Sequence, residues 1–161
     1  MITQQQALEL FEYRDGGLYW RVKKSYRVSI GKEAGCKNSH GYSVVRVNGV
    51  LYGTHRIIFL MHHGYLPDYI DHVDGNRLNN SIENLRAATA CENGYNKPAQ
   101  SNNKSGCKGV RWQKQIKHWC VEIQANKVKR YLGIYKDLEL AALVASEARD
   151  LYHGKFARQG A

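Results

Sequence analysis

Apolar and polar positions change period several times along the chain, and each change marks an element. A brief helix is predicted near residues 3–12. After the turn-forming Asp15-Gly16-Gly17, residues 18–22 (LYWRV) read as a strand. Residues 42–47 alternate apolar with polar, Asn48-Gly49 makes a tight turn, and residues 50–52 return, which predicts a hairpin. Residues 55–63 have helical character and stop at Gly64, a C-terminal cap. Residues 70–73 (IDHV) are β-branched at both ends and read as a short strand. Asp74-Gly75 starts a turn, an Asn-rich loop runs through Asn80, and residues 85–88 form the returning strand. Thr89 is an N-cap for a helix through Asn96, with Glu92 three residues later completing a capping box. The order here is strand, loop, strand, helix.

The remainder reads as three strands and a helix. The strands are residues 108–112, 119–123 and a third beginning at 129–133. The helix covers about residues 138–152, with Asp137 as N-cap and Gly154 beyond its end. Leu138, Ala141, Ala142, Ala145, Ala148 and Tyr152 recur at helical spacing and give one apolar face. The small alanines allow close approach to a sheet, whose other face would carry Arg, Lys, Gln and an indole or two. Between the two parts, residues 98–104 are polar and turn-favouring and read as a linker.

Charge sharpens this division. The 161 residues hold 24 Lys and Arg against 14 Asp and Glu, a net of +10. Residues 1–96 carry 11 basic and 9 acidic side chains, whereas residues 97–161 carry 13 and 5. From Lys97 to Lys136 there are ten basic residues and one acid, Glu122. A balance of this kind favours a polyanionic partner. No apolar stretch approaches the roughly 20 residues of a transmembrane helix, so a membrane is not the expected partner. The first residues lack a basic region followed by an apolar one, and the expected location is the cytoplasm. With 43% hydrophobic and 11% aromatic residues the chain can bury a core. Cys36, Cys91, Cys107 and Cys120 form no CxxC pair, so neither a structural zinc nor a disulfide is expected.

The segment IDHVDGNRLNNSIENLRAATACENGYNK, residues 70–97, carries the candidate chemistry. A hard divalent cation prefers oxygen ligands, and magnesium keeps waters while also binding phosphate oxygens. The Asp71 carboxylate and the Asn93 amide oxygen suit that role. His72, with an ordinary pKa near 6.5, suits proton abstraction from water at neutral pH. Adjacent strand residues point to opposite faces, so Asp71 and His72 need a distorted strand or must approach a phosphate from two sides. Asn84 reads as fixing the loop or the imidazole rather than touching substrate. Asn79 and Asn80 read as turn residues. His62 and His63, adjacent on a helix, do not face one direction, and a place at its C-terminal end or against a DNA backbone fits them better than a metal pair. His55 and Arg56 stand as phosphate or site support, with packing as the alternative.

The pattern DH-V-DGN-R-L-NN-S-I-EN-L-R followed by EN-GYN-K resembles the HNH endonucleases of ββα-metal fold, and among them the small phage homing endonucleases. The resemblance covers roughly residues 55–97 and belongs to the branch without zinc-binding cysteines. It implies metal ligation by Asp71 and Asn93, His72 as general base, and Asn84 as the central Asn. The segments SGCKGVRWQKQIKHWCVEI and KRYLGIYKDLELAALVASEARDLYHGKFA resemble the Apetala-two or ethylene-response-factor DNA-binding domain. That resemblance implies a sheet laid in the major groove. Its contact positions match Arg111, Trp112, Lys114 and Trp119, then Arg130. Lys117, Lys127 and Lys129 are expected on phosphates, and Trp112 and Trp119 equally suit a core.

The expected fold class is therefore α+β. A nuclease domain over residues 1–97 has a β-rich part (1–54) and a ββα-metal core (55–97). A linker spans 98–104, and a three-stranded antiparallel sheet packed on one helix spans 105–161. The expected function is hydrolysis of duplex DNA with one divalent ion, magnesium or else manganese, by a phage homing endonuclease acting as a monomer in the host cytoplasm. A DNA-binding regulator on a non-catalytic HNH scaffold, or a nuclease of phage packaging or restriction, are the alternatives.

Overall fold

Four small antiparallel sheets and four α-helices make up the fold of the computed structural model, which describes residues 1–26 and 28–158. The chain divides into two units, Met1–Ala88 and Thr89–Ala161. Among the described residues no helix is long and apolar enough to cross a membrane.

In the first unit, a Thr3–Gln6 capping box starts α1 (Gln4–Leu10). The helix ends before residue 12, because Phe11 is already extended and opens β1 (Phe11–Arg14). β1 pairs with β2 (Gly17–Trp20) about Asp15 and Gly16, whose φ angles of 45° and 84° make a turn that matches strand twist. Phe11 and Leu18 are fully buried, and Trp20 packs on Phe11 at a ring distance of 4.6 Å. β3 (Cys36–Lys37), β4 (Ser43–Val47) and β5 (Val50–Gly53) form a second sheet, and Asn48-Gly49 turns the β4–β5 hairpin with both φ angles positive. α2 (Thr54–His63) buries Ile57, Ile58, Phe59, Leu60 and Met61, and Gly64 caps it in the left-handed conformation. Each such side chain contributes about 1.5–3 kcal/mol of transfer free energy, so α2 is the centre on which the small sheets are hung. β6 (Tyr69–His72) and β7 (Leu85–Ala88) pair antiparallel, with Asp71 opposite Arg86 and His72 opposite Leu85. The loop between them ends in a 3-10 turn, Ile82–Asn84.

The second unit begins with α3 (Ala90–Tyr95), capped by the Thr89–Glu92 box. β8 (Val110–Gln113), β9 (His118–Ala125) and β10 (Val128–Tyr135) form a sheet in the order β10-β9-β8. α4 (Leu138–His153) lies on it through Ala141 and Ala145, packed with Val110 and Val121. Asp137 caps the helix by accepting from the Leu140 amide. Gly109 allows β8 to approach its neighbour, since a Cβ there would lie 2.9 Å from the Glu122 carbonyl oxygen.

The division between units falls after Ala88, whereas the sequence suggests the polar stretch 98–104. Interactions of α3 explain the difference. The short helix buries no residue fully, and its end is held by partners farther along the chain. The Tyr95 ring stacks on His153 at 3.8 Å, and its hydroxyl accepts from the Asn126 amide at 2.7 Å. Lys108 Nζ donates to the carbonyls of Tyr95 and Lys97, both at 2.8 Å.

Candidate functional site

β6 places Asp71 and His72 next to one another, and both side chains are about 5% exposed. They diverge as consecutive strand residues must. Asp71 Oδ2 accepts from Arg86 Nε at 2.9 Å and Nη2 at 2.6 Å, across the β6–β7 ladder. His72 turns the other way, and its Nε2 lies 3.0 Å from Asn80 Oδ1. An amide oxygen only accepts, so in this contact Nε2–H is the donor. Asn80 is 3% exposed, and sequence reasoning missed its role because an Asn in an Asn-rich loop looks like a turn residue.

Asn84 is built into the same loop. Its Oδ1 accepts from the Asp74 amide at 3.0 Å, and its Nδ2 donates to Asp74 Oδ1 at 2.9 Å and to the Asn79 carbonyl at 2.8 Å. Asn79 Nδ2 donates to Asp74 Oδ2 at 2.7 Å. Burial acts to raise the Asp74 carboxyl, but bonds from Asn79, the Asn76 amide and Asn84 outweigh it and hold it below the usual carboxylate range.

His55, on the first turn of α2, stands beside His72 with ring centroids 5.3 Å apart, and Tyr42 flanks both rings. Gly53 makes room for it, since a Cβ there would meet the imidazole at 2.6 Å. Desolvation first, then the nearby His72 and Arg56, lowers the His55 pKa to about 4. Its ring is therefore neutral at pH 7, and its buried Nδ1 has no hydrogen-bond partner. Arg56 instead donates to the carbonyls of Pro67 and Asp68 and ties the loop before β6. His62 bonds the Ile58 carbonyl and packs edge-on against Tyr13, and His63 packs on Phe59. Asn93 lies on α3, in the second unit.

The β8–β10 sheet separates its side chains by register. Arg111, Glu122 and Lys129 share one face. Glu122 there bridges Arg111 Nη2 at 3.4 Å and Lys129 Nζ at 2.8 Å, which lowers its pKa, first through Lys129 and then through Arg111. Lys114 and Lys117 are exposed in the β8–β9 turn, and Lys127 is exposed in the β9–β10 turn. Trp112 and Trp119 are cross-strand partners on the helix side, at a ring distance of 4.8 Å. Trp119 packs on the core, while Trp112 stays 43% exposed at the sheet edge. Arg130 also turns to the helix side, where its guanidinium covers the Tyr152 ring at 4.7 Å.

Among the described residues no three or more His, Cys, Asp or Glu side chains are grouped to hold a metal ion. An ion held by one or two protein oxygens, with waters completing its shell, needs no such group. The buried Asp71 carboxylate is an oxygen donor of the type a hard divalent cation takes, and Asn93, in the second unit, carries an amide oxygen of the same type.

The HNH endonuclease family model matches residues 52–95. Protein 3.8 of Escherichia phage T7 is 39% identical over 90 residues, which cover 56% of this chain and 74% of that protein. An HNH endonuclease of Acanthamoeba polyphaga mimivirus, L560, is 38% identical over 95 residues, which cover 57% of this chain and 44% of that protein. No solved structure matches the chain.

Proposed function

The chain belongs with phage T7 protein 3.8 in one family and is an HNH endonuclease, a hydrolase of DNA; on that premise we propose a metal-dependent nuclease of the phage homing kind. It nicks or cuts duplex DNA beside a site held by its second unit, acting as a monomer in the host cytoplasm. The observation that carries this reading is the buried, hydrogen-bonded His72 imidazole beside Asp71, inside the matched segment.

His72 acts as general base, and Nδ1 takes the proton of the attacking water while Nε2–H stays on Asn80. Asp71 and Asn93 are the residues that would hold one divalent ion, as the resemblance of their motif to the ββα-metal nucleases implies. Bound there, magnesium or manganese would neutralise charge on the scissile phosphate and the departing 3′ oxygen. Asn84 keeps the β6–β7 loop in shape, and His55 supports the imidazole from the side as a neutral ring.

In the second unit, proposed to work as an Apetala-two-like domain, Arg111 and Lys129 present charge from the open sheet face. Lys114, Lys117 and Lys127 extend it at the turns. Arg can read guanine by a bidentate contact, while Lys more often holds phosphate. Trp112 reaches DNA from the sheet edge. Trp119 and Arg130 are assigned to support of this surface by their packing on the helix side.

The test is incubation with supercoiled plasmid and magnesium, with and without chelator. Relaxed or linear product in magnesium alone is expected. Plasmid left intact while still bound would favour the DNA-binding regulator.

A further inference from the structure

Resting on the reading of His72 as general base, we propose that Asn80 fixes the tautomer and direction of that imidazole, and that the N-terminal hairpin β1–β2 is the brace that holds Asn80 in place.

Asn80 is a buried amide, and burying an amide is costly unless its hydrogen bonds are made. Its Oδ1 meets His72 Nε2 at 3.0 Å. That contact does two things at once. It puts the proton on Nε2, leaving Nδ1 to act as base, and it sets the angle of the ring about its side-chain bonds. His55 and Tyr42 flank the ring, so a ring released from Asn80 would keep its pocket but lose the acceptor at Nε2.

The loop on both sides of Asn80 is clamped. Before it, Asn79 is bonded to Asp74 and to Asn84. After it, Ser81 and Ile82 meet the hairpin. A Cβ on Gly16 would lie 2.9 Å from the Ser81 amide nitrogen, at a position whose φ of 84° already demands glycine. The Ile82 amide donates to the Tyr13 hydroxyl at 3.1 Å. The hairpin is itself anchored by fully buried Phe11 and Leu18. A rigid element sixty residues upstream in the chain therefore sets where Asn80 can be, and through it His72.

The test combines cleavage at saturating DNA, DNA affinity, and the histidine 15N spectrum of the full chain at a fixed pH above 7. Asn80→Leu should lower the maximal cleavage rate about a hundredfold, as a misplaced catalytic group does, with DNA affinity unchanged and His72 present as mixed tautomers. Asn80→Asp keeps an acceptor and should restore both the Nε2–H signature and most of the rate. Tyr13→Phe should fall between wild type and Asn80→Leu. Wild-type cleavage by Asn80→Leu, or a pure Nε2–H signal in it, would overturn the assignment. If Asn80→Leu does not fold, Tyr13→Phe decides: an unchanged tautomer and an unchanged rate would reject the brace. Failure of the underlying reading has a separate signature, which is a His72→Ala protein that still cuts.

Discussion

His55 illustrates how one buried side chain ties stability to pH. Its ring is packed beside His72, with Nδ1 out of reach of water and partners, and its pKa is held near 4. In the unfolded chain it titrates near 6.5. Between those values the unfolded state binds a proton that the folded state refuses, so stability falls as pH drops from about 6.5 to 4. The slope from this one group is at most about 1.4 kcal/mol per pH unit. Thermal melts of wild type and His55→Phe across that window should show the extra acid lability in wild type alone. Asn84 makes a different prediction. It satisfies the Asp74 amide and carboxylate and the Asn79 carbonyl at once, so Asn84→Ala should cost about 1–3 kcal/mol in denaturant unfolding. Motif spacing points to Asn84 as fixing either the loop or the imidazole, and the bonds it makes are to loop residues Asp74 and Asn79. That Asn80 pairs with His72 does not follow, because the pairing depends on how the loop closes, and three nearby asparagines are equivalent in sequence.

At the scale of elements, short-range signals were the legible ones. Thr89 and Glu92 form the capping box that their spacing predicts, Asp137 caps α4, and Asn48-Gly49 turns a hairpin. Asp137→Ala should remove about 1 kcal/mol of helix stability, read as a lower melting temperature of the second unit with the first unchanged. β1 was not legible. Phe11, Glu12, Tyr13 and Arg14 alternate in burial like a strand, but they follow a helix without a break, and only the return through β2 reveals the period. Nor was the attachment of α3. A six-residue helix is too short to be stable alone, and the Tyr95–His153 stack joins residues 58 positions apart. Hydrogen-bond partners at that range leave no periodic trace.

For the whole molecule, the charge asymmetry along the chain points to its working arrangement. The acidic exception in the basic segment, Glu122, sits between Arg111 and Lys129 and holds both through exposed pairs of small individual worth. In the proposed complex both cations exchange Glu122 for DNA, Lys129 for a phosphate and Arg111 for a base edge or phosphate. With Lys114, Lys117, Lys127 and Lys129 on phosphates, the logarithm of affinity should fall against the logarithm of salt with a slope of about −4. Glu122→Gln should steepen that slope and raise affinity for unrelated DNA, measured by titration at several salt concentrations. The N-terminal residues, whose purpose composition alone leaves open, brace the loop that carries Asn80 through Tyr13 and Gly16. In the proposed mechanism His72 performs the chemistry while other residues hold the DNA. The most direct measurement is parallel cleavage and binding by His72→Ala on the same plasmid in magnesium. Binding at wild-type affinity with cleavage abolished is expected; cleavage at the wild-type rate, or loss of binding together with cleavage, would rule out the catalytic role of His72.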